Sequence, residues 1–148
     1  MSEFKQYLIE SASTDPSGDV KASIRKLPKA HQKLVKGYEI KFTGNNTLKD
    51  GASVGLNNLK HKKMVVASPW NYGREFAFLH EIGHLVWRDF VAPHKEKVTE
   101  WGSIVRNTKG KLRQNAEELF CHAYANTYAQ NKIEVHNHPR WEKFVKKV

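Results

Sequence analysis

Sulfur is scarce in this 148-residue chain, and acid is outnumbered by base. A single cysteine, Cys121, excludes an internal disulfide and with it the stapled scaffold of small secreted domains. Acidic residues number 15 against 25 Lys and Arg, so the formal charge is +10 and the chain attracts anions. No apolar run approaches the roughly 18–20 residues that a membrane helix needs, and the N-terminus lacks the basic region and apolar stretch of an export signal. The expectation is a cytoplasmic protein with no membrane partner. There is no repeat and no low-complexity tract. What is present is globular: 39% apolar residues, 27% charged, with 4 Trp, 5 Tyr and 7 Phe, enough for one core and too short for two.

The basic residues are spread over Lys21 to Lys41, Lys60 to Lys63, Lys95 to Lys97, Lys109 to Arg113 and Lys143 to Lys147, with no stripe of interleaved aromatics. They read either as a solvated surface or as a face for non-specific nucleic-acid contact.

Residues 1–18 stand apart. Phe4, Tyr7 and Leu8 recur at helical spacing, and Thr14-Asp15-Pro16-Ser17-Gly18 breaks the pattern, so a short helix and a joint should precede a single domain over 19–148. A helical stretch follows from Asp19 to Lys36, with Pro28 opening its second half and Gly37 stopping it. Tyr38 to Thr43, Ser53 to Leu56 and Lys62 to Ser68 read as strands, with Asn57-Asn58 as a turn. Phe76, Leu79, Ile82, Gly83, Leu85, Val86 and Phe90 recur at helical intervals, which predicts a buried helix from Gly73 to about Phe90, ended by Pro93. Further helices are expected over Lys95 to Asn107, Leu112 to about Gln130, and from Pro139 through Trp141, Phe144 and Val145. This order predicts an α+β fold with a small sheet packed on helices. Trp70, Trp87, Trp101 and Trp141 read as core anchors, and His31, His61, His136 and His138, lacking partners at ligand spacing, as surface residues.

His80-Glu81-Ile82-Gly83-His84 is an H-E-x-x-H sequence, and it falls inside the helix inferred from periodicity. Residues four apart on a helix share a face, so two imidazoles can converge on one Zn2+ at about 2.0–2.1 Å. Glu81 then stands beside the metal, where a carboxylate can take a proton from water. A catalytic zinc usually has three protein ligands. The extended motif with glycine and a third histidine fails, because Trp87 and Phe90 occupy those positions. His94, Glu117, Glu118 and His122 remain as third-ligand candidates, with Glu118 and His122 sharing a face at i, i+4 and Glu117 turned roughly 100° away.

His80-Glu81-x-x-His84 followed by Ala116-Glu117-Glu118-Leu119-Phe120-Cys121-His122-Ala123-Tyr124 resembles the zinc peptidases typified by anthrax lethal factor and the clostridial Pro-Pro endopeptidase. Their third ligand is a glutamate in a helix of the form E-x-F-A-E-A-F. The resemblance spans about residues 52–146, and its specific part is the pair of motifs. It implies a zincin-like fold with the motif on a central helix, Glu118 as the third ligand, Glu81 as the general base, and hydrolysis of a protein or peptide substrate. His122 stands where that family has a second glutamate. The family's oxyanion-stabilising tyrosine is replaced by Lys111, which leaves Tyr72, Arg113, His122, Tyr128 and Lys111 itself as candidates. In such folds a substrate adds as a strand along a sheet edge, and Lys62 to Ser68 is read either as that edge or as an internal strand.

Met1 to Glu10 also resembles the capsid-targeting peptides of large contractile-tailed phages, which a prohead protease removes after Leu-x-Glu or Ile-x-Glu; Leu8-Ile9-Glu10 fits that rule. The resemblance implies a phage protein packaged in the virion, where positive charge suits a DNA-filled interior. Two rival readings remain: an SprT-like protease, with His94 as ligand and DNA-bound proteins as substrates, and a non-catalytic, metal-stabilised module that binds nucleic acid or protein.

Overall fold

The computed structural model describes residues 17–43, 55–58, 62–67, 73–108, 115–130, 132–133 and 138–148. The readings of the first ten residues, Trp70, Tyr72, Lys111, Arg113, His61 and His136 lie outside them. The described chain is rich in helix: α1 (Ser17–Arg25), α2 (Lys29–Val35), α3 (Gly73–Val86), α4 (Lys95–Thr108), α5 (Ala116–Tyr128) and α6 (Pro139–Lys147).

Local chemistry sets these boundaries. α1 opens at Ser17, inside the stretch read as a joint, because Ser and Asp are at home in a first helical turn even after a proline. Pro28 precedes α2 with φ −55°, and Gly37 ends that segment at φ 91°, a left-handed conformation that glycine adopts without steric cost. α5 starts at Ala116 rather than Leu112, because the Asn115 side chain accepts from the Glu118 N–H at 2.8 Å and caps the helix there. Pro139 occupies the first turn of α6, where its missing N–H costs nothing.

Strands β1 (Glu39–Thr43), β2 (Gly55–Asn58) and β3 (Lys63–Ala67) form one sheet in the order β1-β3-β2. β1 runs parallel to β3 with Ile40 opposite Met64, and β2 antiparallel with Leu56 opposite Val65. Asn57 and Asn58, read as a turn, pair with Met64 and Lys63 and belong to β2. β3 is therefore the central strand. Its backbone groups are committed on both sides, so it is not the edge along which a peptide can add; the outer sides of β1 and β2 are the edges among the described residues.

α3 lies at the centre, packed against α1, α2, α5 and β3. Phe76, Phe78, Leu79, Ile82, Leu85 and Val86 are buried on successive faces of it, as expected of a helix enclosed all round. A π turn, Trp87–Val91, extends α3 and carries Phe90 beyond the motif. On the far side of α5, Trp101 meets Trp141 at 5.6 Å and Phe144 at 5.1 Å between ring centres, and its Nε1 donates to the Ala116 carbonyl at 2.8 Å. Trp101 and Trp141 are core residues; Trp87 is half-buried against Phe120. His31 is not a surface residue: it is 1% exposed, because Tyr124 Oη at 3.0 Å from its Nδ1 satisfies it inside the core. His138, half-buried, packs at a tilt against Trp141 at the start of α6, ring centres 4.3 Å apart.

Candidate metal centre

Helical spacing sets the first two groups. His80 and His84 project from one side of α3 with ring centres 5.2 Å apart. α5 crosses that side because Gly83 has no side chain, and it brings its first turn, rich in carboxylate, against the two rings.

Glu118 bridges the imidazoles. Its Oε2 lies 3.1 Å from His80 Nε2, and its Oε1 lies 3.1 Å from His84 Nε2. Two ligands at about 2.0–2.1 Å from a tetrahedral ion stand about 3.4 Å apart, so each histidine–Glu118 pair, taken by itself, has close to the separation of two ligands on one metal. The outer nitrogens also face carboxylates. His84 Nδ1 is 2.7 Å from Glu117 Oε2, and His80 Nδ1 is 3.4 Å from Glu81 Oε2. Glu117 thus does not turn away from the centre: its long side chain reaches round to the far nitrogen of His84. Glu81 is 3% exposed, within the protein rather than on its surface.

This arrangement carries a charge requirement. His84 must hold a proton on Nδ1 to donate to Glu117, and a neutral ring would then set its Nε2 lone pair against a Glu118 oxygen. Positive charge on the Nε2 side removes the conflict. Burial opposes that charge, but hydrogen bonds donated to the Glu118 and Glu117 carboxylates outweigh it and hold the His84 pKa up at about 9. His80 is raised likewise, burial being overcome by Glu118 and then Glu81. Hydrogen bonds from His80 and His84 push the Glu118 carboxyl well below the usual carboxylate range. Two imidazoles among three carboxylates could hold a cation, and a nitrogen-oxygen donor set is one that suits zinc.

His122, one turn beyond Glu118, is 8% exposed, with its ring 4.8 Å from that of His80 and stacked on Phe76 at 6.2 Å. Ligand atoms of His80, Glu118 and His122 lie within 4.8 Å of one another, as do those of His80, His84 and Cys121. Cys121 was not singled out from the sequence; helical spacing from Glu118 was the available signal. Burial pushes its thiol pKa well up, and the charges of Glu118, Glu117 and Glu81 add to that, so it stays protonated. His94 joins neither group. Its side chain is 46% exposed, and the acid it pairs with among the described residues is Glu96, at 4.0 Å. Tyr128 lies at the other end of α5, against Tyr124 and a cavity of about 760 Å3 lined by Lys26, Glu75 and Lys132.

No family model, curated protein or solved structure matches the chain. No helix among the described residues is long and apolar enough to cross a membrane.

Proposed function

We propose that the chain is a zinc-dependent endopeptidase of zincin-like fold, with His80, His84 and Glu118 holding the metal and Glu81 as the general base. The observation that carries this reading is the Glu118 carboxylate set 3.1 Å from the Nε2 atoms of both motif histidines. When bound, zinc supplies Lewis acidity to a water and to the scissile carbonyl.

The protein groups divide the remaining work. Glu117 fixes the His84 tautomer and ring plane, as a carboxylate behind a liganding histidine does. Glu81, whose carboxylate lies 3.4 Å from the outer nitrogen of His80, would turn to the Nε2 side to accept a proton from the attacking water and return it to the leaving amine. His122, whose ring lies 4.8 Å from that of His80, would donate a hydrogen bond to the oxyanion, the part for which Lys111 stands in place of the family tyrosine. A substrate strand would pair along the outer side of β1 or β2, the sheet edges among the described residues.

Glu81→Gln tests the reading. The variant should keep one zinc per chain and lose about 10²–10⁴-fold or more of the hydrolysis of a peptide library, because the ligands remain and the proton acceptor is gone. Wild-type turnover by the zinc-loaded variant, or a wild-type protein that takes up no zinc, rejects it.

A further inference from the structure

The cations of α1 and α2 stand outside the metal centre. Between Asp19 and Glu39 the chain has no acidic residue and carries Lys21, Arg25, Lys26, Lys29, Lys33 and Lys36. Lys26 is engaged with Glu75 of α3 at 3.3 Å. Lys21, half-exposed, and Arg25, Lys29, Lys33 and Lys36, exposed, have no ion-pair partner among the described residues. The apolar side of the same segment, Ile24, Leu27 and Val35, is buried, which turns the basic side outward.

We infer that this face of α1 and α2 binds the phosphate backbone of double-stranded nucleic acid without reading its sequence. Lys29, Lys33 and Lys36 follow one another at i, i+4 and i+7 and cover about 10 Å at 1.5 Å per residue, the axial rise of about three phosphates on one strand. Nothing on the face reads bases. Gln32, the side chain suited to an adenine edge, is half-buried and spends its amide on the Leu27 carbonyl at 2.8 Å. No aromatic is exposed there to stack on an unpaired base, since Tyr38 is 2% exposed and His31 1%. A lipid surface fits less well, because a membrane-binding helix needs bulky apolar residues beside its cations, and the exposed small residues here are Ala22 and Ala30.

Counterion release makes the inference quantitative, and the measurement is independent of the metal centre. The full-length Glu81→Gln protein should bind a fluorescein-labelled 20-bp DNA duplex in fluorescence anisotropy, with a slope of log affinity against log salt of about −4 to −5 for five phosphate contacts. The triple variant Lys29→Gln, Lys33→Gln, Lys36→Gln should flatten that slope by about three and weaken binding at low salt at least tenfold. Lys95→Gln, Arg106→Gln, Lys143→Gln removes the same charge from α4 and α6 and should leave the slope within about one of wild type. Thermal unfolding of both variants at the wild-type temperature certifies the fold. Equal losses in the two variants, no binding at about 50 mM salt, a more than tenfold preference between unrelated duplexes, or tighter binding to phosphatidylserine vesicles than to DNA would each overturn the inference.

Discussion

The Cα of Cys121 on α5 stands 2.9 Å from where a β-carbon on Gly83 of α3 would sit, so the two helices meet backbone to backbone inside the metal motif. This contact sets how far α5 stands from the histidines, and hence whether Glu118 can touch both. On an exposed helix Gly→Ala would stabilise by about 1 kcal/mol. Here the added methyl must displace the backbone of a neighbouring helix, and overpacking of this kind costs about 1–3 kcal/mol. Gly83→Ala should therefore lower the melting temperature of the metal-free protein and weaken zinc binding as well. A variant with higher stability and unchanged zinc affinity would show that the helices have room to spare.

Glu117 and Glu118 are neighbours in sequence and take different positions. Glu118 faces the Nε2 atoms, and Glu117 backs Nδ1 of His84. Removing a ligand costs more than removing a partner behind one, so Glu118→Ala should abolish measurable zinc binding while Glu117→Ala weakens it about 10–100-fold. Competition against a chromogenic zinc chelator separates the two. Equal losses would mean that the carboxylates act as an interchangeable pair.

The helices were legible because burial imposes a period: Phe76, Leu79, Ile82 and Val86 trace a stripe, and Pro28, Gly37 and Pro139 punctuate the chain. His80 and His84 were legible because a spacing of four on a helix is a geometric statement. The use of Glu117 was not, since counting residues along α5 gives the direction of a Cβ and says nothing of a glutamate long enough to reach round to another helix. The burial of His31 was also hidden. A histidine among lysines reads as surface, and its partner Tyr124 lies far along the chain, on α5. The central place of β3 follows from pairing with β1 and β2, which no local pattern of apolar and polar residues encodes.

Burial holds the His31 pKa below its ordinary value of 6.5, against an opposing backbone hydrogen bond at Val148. The ring is thus neutral in the folded protein over a range where the unfolded chain takes up a proton. This contribution to stability is fully present above pH 6.5 and is lost as the pH falls below it, at no more than about 1.4 kcal/mol per pH unit for one proton. His31→Gln, which still offers Tyr124 a partner, should flatten the acid limb of stability against pH. Urea denaturation of wild type and variant between about pH 5 and 7 measures the difference, and parallel limbs would place the His31 proton in both states.

His122 tests the last assignment at the centre. Its ring lies against His80 and Phe76, buried, and it sits one turn along α5 from the bridging Glu118. A donor aimed at charge that develops during reaction contributes to the transition state and little to the ground state, so its loss lowers kcat and spares KM. His122→Ala should keep its zinc and lose about 10²–10³-fold in kcat. His122→Gln, which retains an N–H donor, should recover part of that loss. A histidine that served as a zinc ligand would behave otherwise: the alanine variant would be short of metal, and excess zinc would restore its rate. Activity that stays low in saturating zinc, and rises with glutamine at that position, identifies the oxyanion donor. Full activity in zinc-replete His122→Ala would return the role to Tyr72, Lys111 or Arg113.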